Sequence, residues 1–199
     1  YNMSLKIGVL GSSNGTDLDA IIDWIEKKYL DAEIKLIISN VKTALILEKA
    51  KNNNIKSLYI SHKKKSREIF DNELSGHFKN EKVDLILLIG FMRILSSNFC
   101  NEWNNKILNV HPSLLPKYSG LMDLNIHKKV IENNESETGC TIHFVTKDLD
   151  KGPILVQKKC FVSFDETPLS LKKKVQKLEG ISFIEAIKIF KKELITNEN

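Results

Sequence analysis

Asn109 and His111 stand two residues apart in the string Ile-Leu-Asn-Val-His-Pro that covers residues 107–112, where an apolar run ends against a proline. On a strand, residues two apart point their side chains to the same face. An imidazole at a strand's end titrates near neutral pH and can move a proton. An asparagine amide can donate to a carbonyl oxygen that is gaining negative charge, a contribution of roughly 10²–10³ in rate. The pair points to attack on a carbonyl; the plainer alternative is a capped strand end with a structural histidine. Such a histidine needs a carboxylate to orient and charge it. Asp148 and Asp150 are both offered by Thr-Lys-Asp-Leu-Asp-Lys-Gly-Pro at 146–153. Spacing does not choose between them, and both are also ordinary turn residues.

Other reactive types are less well placed. Ser113 lies outside any G-x-S-x-G elbow and between prolines, so it is no nucleophile. His62, His77 and His127 lie on or near predicted helices without ligand spacing, so no metal site is expected. His143 alternates with Ile142 and Phe144 and reads as structural. The three cysteines, Cys100, Cys140 and Cys160, are widely spaced with no C-x-x-C, which excludes a disulfide framework or a cysteine zinc site.

The elements that must carry these residues alternate. Strands are expected at 5–10, 33–38, 55–60 and 83–89, and helices at 18–30, 43–52 and 66–78. A fifth strand is expected at 107–110 and a helix at 124–131. Two further strands, 140–145 and 154–162, are expected to pair antiparallel at one end of the sheet. A long amphipathic helix follows at 168–192, with a bend expected at Gly180. Such β-α alternation argues a single α/β domain, 3–195, built on a mostly parallel twisted sheet flanked by helices. Tyr1 and Asn2 precede Met3 and read as an appended remnant. In open sheets of this kind ligands bind beyond the carboxyl ends of the strands, at the switch point. The loops after strands one, four and five are therefore the ones to inspect.

The first of these is Gly-Ser-Ser-Asn-Gly-Thr-Asp at 11–17. Backbone N–H groups at the start of a helix suit a phosphate. The loop is neither G-x-G-x-x-G nor a Walker loop. An ordinary turn, with Thr16 as N-cap and Asp19 completing a capping box, explains it equally well. Asp17 and Asp19 suit a helix N-terminus but are expected to compete with a bound phosphate.

Composition narrows the class. The 199 residues are 42% hydrophobic, enough for one core, and carry a net charge of +5. No apolar stretch reaches the length of a membrane span, and no secretory signal is evident, so a cytoplasmic protein is expected. The clusters at Lys63-Lys64-Lys65 with Arg67, at Lys128-Lys129 and at Lys172-Lys173-Lys174 read as solvated surface or as attraction for an anionic small molecule. No aromatic-rich RNA motif or zinc spacing accompanies them, so nucleic acid is not expected.

Four strings carry a resemblance: Gly-Phe-Met-Arg-Ile-Leu at 90–95, Leu-Asn-Val-His-Pro-Ser-Leu-Leu-Pro-Lys-Tyr at 108–118, His-Phe-Val at 143–145 and Leu-Asp-Lys-Gly-Pro at 149–153. They resemble the phosphoribosylglycinamide formyltransferases, folate-dependent enzymes of purine biosynthesis, and the likeness runs from about Lys6 into the last helix. The resemblance implies a formyl group passed from 10-formyltetrahydrofolate to the amine of glycinamide ribonucleotide, without a metal. It implies Asn109, His111 and Asp150 as the catalytic set. It implies Arg67, Met92, Arg93, Ile94, Leu95, Asn109 and Asp148 about the folate, the first of these at its glutamate part. It implies Gly15, Thr16, Asp17, Pro112 and Glu179 about the ribonucleotide. Ser13 and Asp17 replace the Gly and Asn of many members, and the stretch 121–127, which ends at His127, is longer than in some. Formyltetrahydrofolate hydrolases and methionyl-tRNA formyltransferases share the Asn-x-His site, but their additional domains are not expected within 199 residues. A non-catalytic folate- or nucleotide-binding protein is the rival from another class. A monomer or a homodimer is expected.

Overall fold

The computed structural model describes residues 3–197; Tyr1 and Asn2, read above as an appended remnant, lie outside them. Seven strands form one sheet: β1 (Leu5–Leu10), β2 (Ala32–Ser39), β3 (Ser57–Tyr59), β4 (Leu85–Leu88), β5 (Ile107–His111), β6 (Glu137–Phe144) and β7 (Ile154–Phe161). Their order is β3-β2-β1-β4-β5-β6-β7. The first five run parallel, and β6 lies antiparallel to both β5 and β7. The expected antiparallel pair is present at the end of the sheet, and it also places β6 directly beside the strand of Asn109 and His111.

The helices are α1 (Thr16–Glu26), α2 (Leu45–Asn52), α3 (Arg67–Asn80), α4 (Ser97–Glu102), α5 (Leu124–Glu132) and α6 (Pro168–Asn197). Successive residues of the central strands serve opposite faces, so both faces are apolar. Leu85, Leu87 and Ile89 join Leu18, Ile21, Ile46 and Phe183 under α1, α2 and α6. Ile86 and Leu88 join Phe70, Leu74, Phe78 and Phe99 under α3 and α4. This double burial is why the strands read as continuous apolar runs.

Two local features, α4 and the cap of α1, differ from expectation. α4 gives no periodic signal, because it is six residues long and buries only Phe99 and Cys100. α6 runs through Gly180 as one continuous helix. A side chain there would reach Ala20 Cβ at 2.8 Å, so the glycine lets α6 lie close on α1. Thr16 is not the N-cap of α1. Gly15 takes that place in the left-handed conformation, and no side chain caps the helix.

Order 2-1-4 at the middle of the sheet makes the carboxyl ends of β1 and β4 the switch point, with β5 next to β4. The turn out of β1 depends on Gly15, at φ 66°, where a Cβ would lie 2.6 Å from Ile46 Cγ1. A left-handed residue with a Cβ costs roughly 1–2 kcal/mol before any clash. Gly15→Ala is therefore expected to lower Tm by about 2–8 °C in thermal unfolding.

Candidate active site

β5 delivers Asn109 and His111, and β6 runs antiparallel beside it with His143 directly opposite Asn109. The reading of His143 as structural is incomplete, because it holds the asparagine. Its Nδ1 lies 3.0 Å from the Phe144 carbonyl and must donate to it. Nε2 is then the acceptor, 3.2 Å from Asn109 Nδ2. Burial pushes the pKa of His143 below its ordinary value, in agreement with a neutral ring. The Asp150 carboxylate at 3.9 Å is consequently no ion-pair partner for it. One amide proton of Asn109 is committed to His143, and this sets the plane in which the remaining amide atoms face the crevice.

His111 is buried. Its Nε2 donates to the Tyr118 carbonyl at 3.0 Å, and its Nδ1 faces Asp150 Oδ2 at 3.5 Å. Both ring nitrogens thus face oxygen, so both can be donors at once. Asp150 also accepts the Gly120 N–H at 2.8 Å, which brings the loops 112–120 and 146–153 together over the strand ends. The Phe144 N–H donates to the Pro153 carbonyl and closes the base of the second loop on β6. Asp148 is exposed, and its backbone carbonyl and N–H both bond Thr146 Oγ1. The choice that spacing left open is made by the loop's path.

The segment after His111 is fastened by polar groups that carry no reactive role. Ser113 Oγ donates to the Lys117 carbonyl, and Thr141 Oγ1 donates to the Ser113 carbonyl. Gln157 Nε2 donates to both Thr141 Oγ1 and the Leu115 carbonyl. Pro112 is half-buried at the start of this segment. His127 is buried on α5, with Nδ1 unpartnered, and burial pushes its pKa down to about 4. It therefore stays neutral.

At the first crevice loop, Thr16 is exposed while Asp17 turns inward. Asp17 meets Glu179 of α6, and both carboxyls are buried. Two carboxylates in contact away from water cannot both ionise. Burial first, then the Glu179 charge, hold Asp17 well above its ordinary value, and burial raises Glu179 as well, so the pair shares a proton. The unpartnered buried Oδ1 of Asp17 is tolerable as a neutral carbonyl oxygen when Asp17 holds that proton. Asp19 is paired with Lys49 at 2.8 Å. Each acid of the loop thus has a partner in the folded chain, Glu179 for Asp17 and Lys49 for Asp19.

Beyond β4, Met92 and Ile94 are 58% and 53% exposed, whereas Leu95 is buried. Between them Arg93 places its guanidinium 5.2 Å over the Phe70 ring, with Nε buried and unpartnered. Arg67 is exposed at the first position of α3. Two apolar side chains and a row of backbone groups here suit a flat heteroaromatic ring, and the arginines suit an anionic tail. Among the described residues no group of His, Cys, Asp and Glu has the arrangement of a metal site, and no helix is long and apolar enough to cross a membrane.

The acid pair generates a pH prediction. A carboxyl whose folded pKa is raised stabilises the fold at low pH, and that stability is lost as pH rises from 3.8 through the folded value. Asp17→Asn removes this carboxyl and leaves Glu179, itself raised by burial, as the remaining acid of the pair. The variant is expected to gain Tm over the parent at pH 7, and the gain is expected to shrink towards pH 4 in paired melting curves.

The formyl transferase family model matches residues 5–187. The trifunctional purine biosynthetic protein adenosine-3 of Drosophila melanogaster is 42% identical over 185 residues, which is 92% of this chain and 14% of that protein. The chain therefore spans about a seventh of that relative. The phosphoribosylglycinamide formyltransferase of Escherichia coli is 38% identical over 176 residues, 88% of this chain and 82% of that one. Among solved structures, glycinamide ribonucleotide transformylase 1 of Symbiobacterium toebii superposes with a TM-score of 0.90 at 33% identity, covering 96% of this chain and 89% of its own. An α/β sheet with Asn109, His111 and Asp150 gathered at its switch point, matched over nearly its whole length, places this chain in the formyl transferase family.

Proposed function

We propose that this protein transfers the formyl group of 10-formyltetrahydrofolate to the amine of glycinamide ribonucleotide, in purine biosynthesis. The observation that carries the reading is the convergence of His111, Asp150 and a His143-oriented Asn109 at the carboxyl end of β5. The exposed apolar pair Met92 and Ile94 fits the folate, to which Arg93 and Leu95 of the same loop, Arg67 at the start of α3 and Asp148 of the loop after β6 are also assigned. Gly15, Thr16, Asp17, Pro112 and Glu179 are assigned to the ribonucleotide, its phosphate on the free N–H groups at the start of α1.

In this mechanism the acceptor amine attacks the formyl carbon. Asn109 and a doubly protonated His111 donate to the formyl oxygen as it gains charge. The substrate takes the place that the Tyr118 carbonyl holds at Nε2 in the free protein. Asp150 stays at Nδ1 and holds the ring in place. A new carbon–nitrogen bond forms at the acceptor, and the bond to the folate nitrogen breaks. The proton lost by the amine reaches that nitrogen through His111 or a water held by Asp150. Alignment of the two bound reactants supplies much of the remaining acceleration.

Consumption of 10-formyltetrahydrofolate is expected to require glycinamide ribonucleotide strictly. Turnover without acceptor would instead identify a formyltetrahydrofolate hydrolase, and absence of turnover a binding protein. His111→Ala is expected to lower kcat by about 10²–10⁴ while folate binding persists in calorimetry; full activity in that variant rules the mechanism out. His143→Leu frees the Asn109 amide to rotate, and kcat is expected to fall by about 10- to 100-fold with little change in KM.

A further inference from the structure

Four crevice loops are joined by a polar chain that the reaction does not use. Ser12, just past β1, donates its N–H to the Gly90 carbonyl and accepts the Met92 N–H on its hydroxyl at 2.9 Å. The hydroxyl proton goes on to Asn40 Oδ1, 2.6 Å away, a distance typical of O–H···O. That bond sets the amide, so Asn40 Nδ2 points to His62 Nδ1 at 3.2 Å. Nδ1 is therefore an acceptor, and His62 carries its proton on Nε2. Ser12 and Asn40 are 8% and 7% exposed, so the bond between them is sheltered from water, and the bonds to Met92 and His62 are partly so. His62 also meets the Phe70 ring edge-on, with centroids 6.2 Å apart. The Arg93 guanidinium lies over that same ring. The contacts close a circuit: Met92, Ser12, Asn40, His62, Phe70, Arg93, and back along the chain to Met92.

We propose that His62 is a positioning residue for the folate, acting through Asn40 and Ser12 on the Met92 N–H and through Phe70 on Arg93. The inference rests on the folate reading of the 90–95 loop. His62 need not touch the substrate. Its position asks for one acceptor at Nδ1 and one flat apolar face, a combination that lysine, arginine or leucine cannot offer. It also stands at the start of the segment that carries Lys63, Lys64, Lys65 and Arg67, so the circuit couples the ring end of the folate site to its tail end.

The test compares His62→Leu, His62→Asn and Asn40→Ala with the parent protein. Loss of one sheltered hydrogen bond predicts a KM for 10-formyltetrahydrofolate raised roughly 3- to 10-fold in His62→Leu and Asn40→Ala. The KM for ribonucleotide is expected within twofold of the parent. His62→Asn keeps an acceptor near Nδ1 and is expected to recover part of the loss. An unchanged folate KM, or a parallel rise of both KM values with a lowered Tm, overturns the proposal in favour of a merely structural network. Calorimetric binding of 5-formyltetrahydrofolate separates the two readings. If the parent binds it without turning over the formyl donor, the activity reading fails and the variants still test His62 by Kd. If the parent binds no folate, both fail.

Discussion

The arrangement depends most on one carboxylate, Asp150, brought by a loop to the end of a strand 39 positions earlier in the chain. Its Oδ2 faces His111 and accepts the Gly120 N–H, while Oδ1 lies near the neutral His143. A nearly buried carboxylate is costly unless hydrogen-bond donors surround it. That cost is what makes the geometry definite: the loop 146–153 has to close, and the loop 112–120 has to present a backbone N–H. Thr141, Gln157 and Ser113 hold the second of these loops by bonds unrelated to any reactive group.

The two antiparallel strands have a function in this scheme beyond finishing the sheet. A sixth parallel strand would return through a crossover helix, with its carboxyl end beside β5. β6 instead runs the other way and sets His143 opposite Asn109 and Thr141 opposite His111. The cross-strand pairing converts an asparagine with a freely rotating amide into one with a committed proton and a defined plane. On the other side of the crevice the same economy of buried polar groups appears twice, in the shared proton of Asp17 and Glu179 and in the chain Met92–Ser12–Asn40–His62. In each case the partners come from segments far apart in the chain.

Burial also explains why several reactive-looking groups are silent. Cys140 is pushed up to about 12 by desolvation and contacts Ser182, so its thiol stays protonated. Ser113 is spent on the Lys117 carbonyl, and His127 is held neutral by burial and by the Lys172 charge. Chemical competence of a side chain is thus a property of its surroundings as much as of its type.

The alternation of apolar runs and helical periodicity determined the sheet, its helices and the crevice, because burial on both faces writes a pattern that needs no distant contact to be read. The Asn-x-His spacing on one strand determined a shared face for the same reason. Tertiary structure alone chose Asp150 over Asp148, since two positions in one loop differ only in where the loop's path turns. It alone gave His143 to Asn109, a relation set by strand register. It alone raised the pKa of Asp17, since α6 brings Glu179 against it away from water. It left α4 and the close approach of α6 to α1 at Gly180 to be found in space, because a six-residue helix and a close helix crossing leave no periodic trace. Local patterns follow from the backbone's own geometry; proton sharing and amide orientation follow from distances between residues that the chain brings together only on folding.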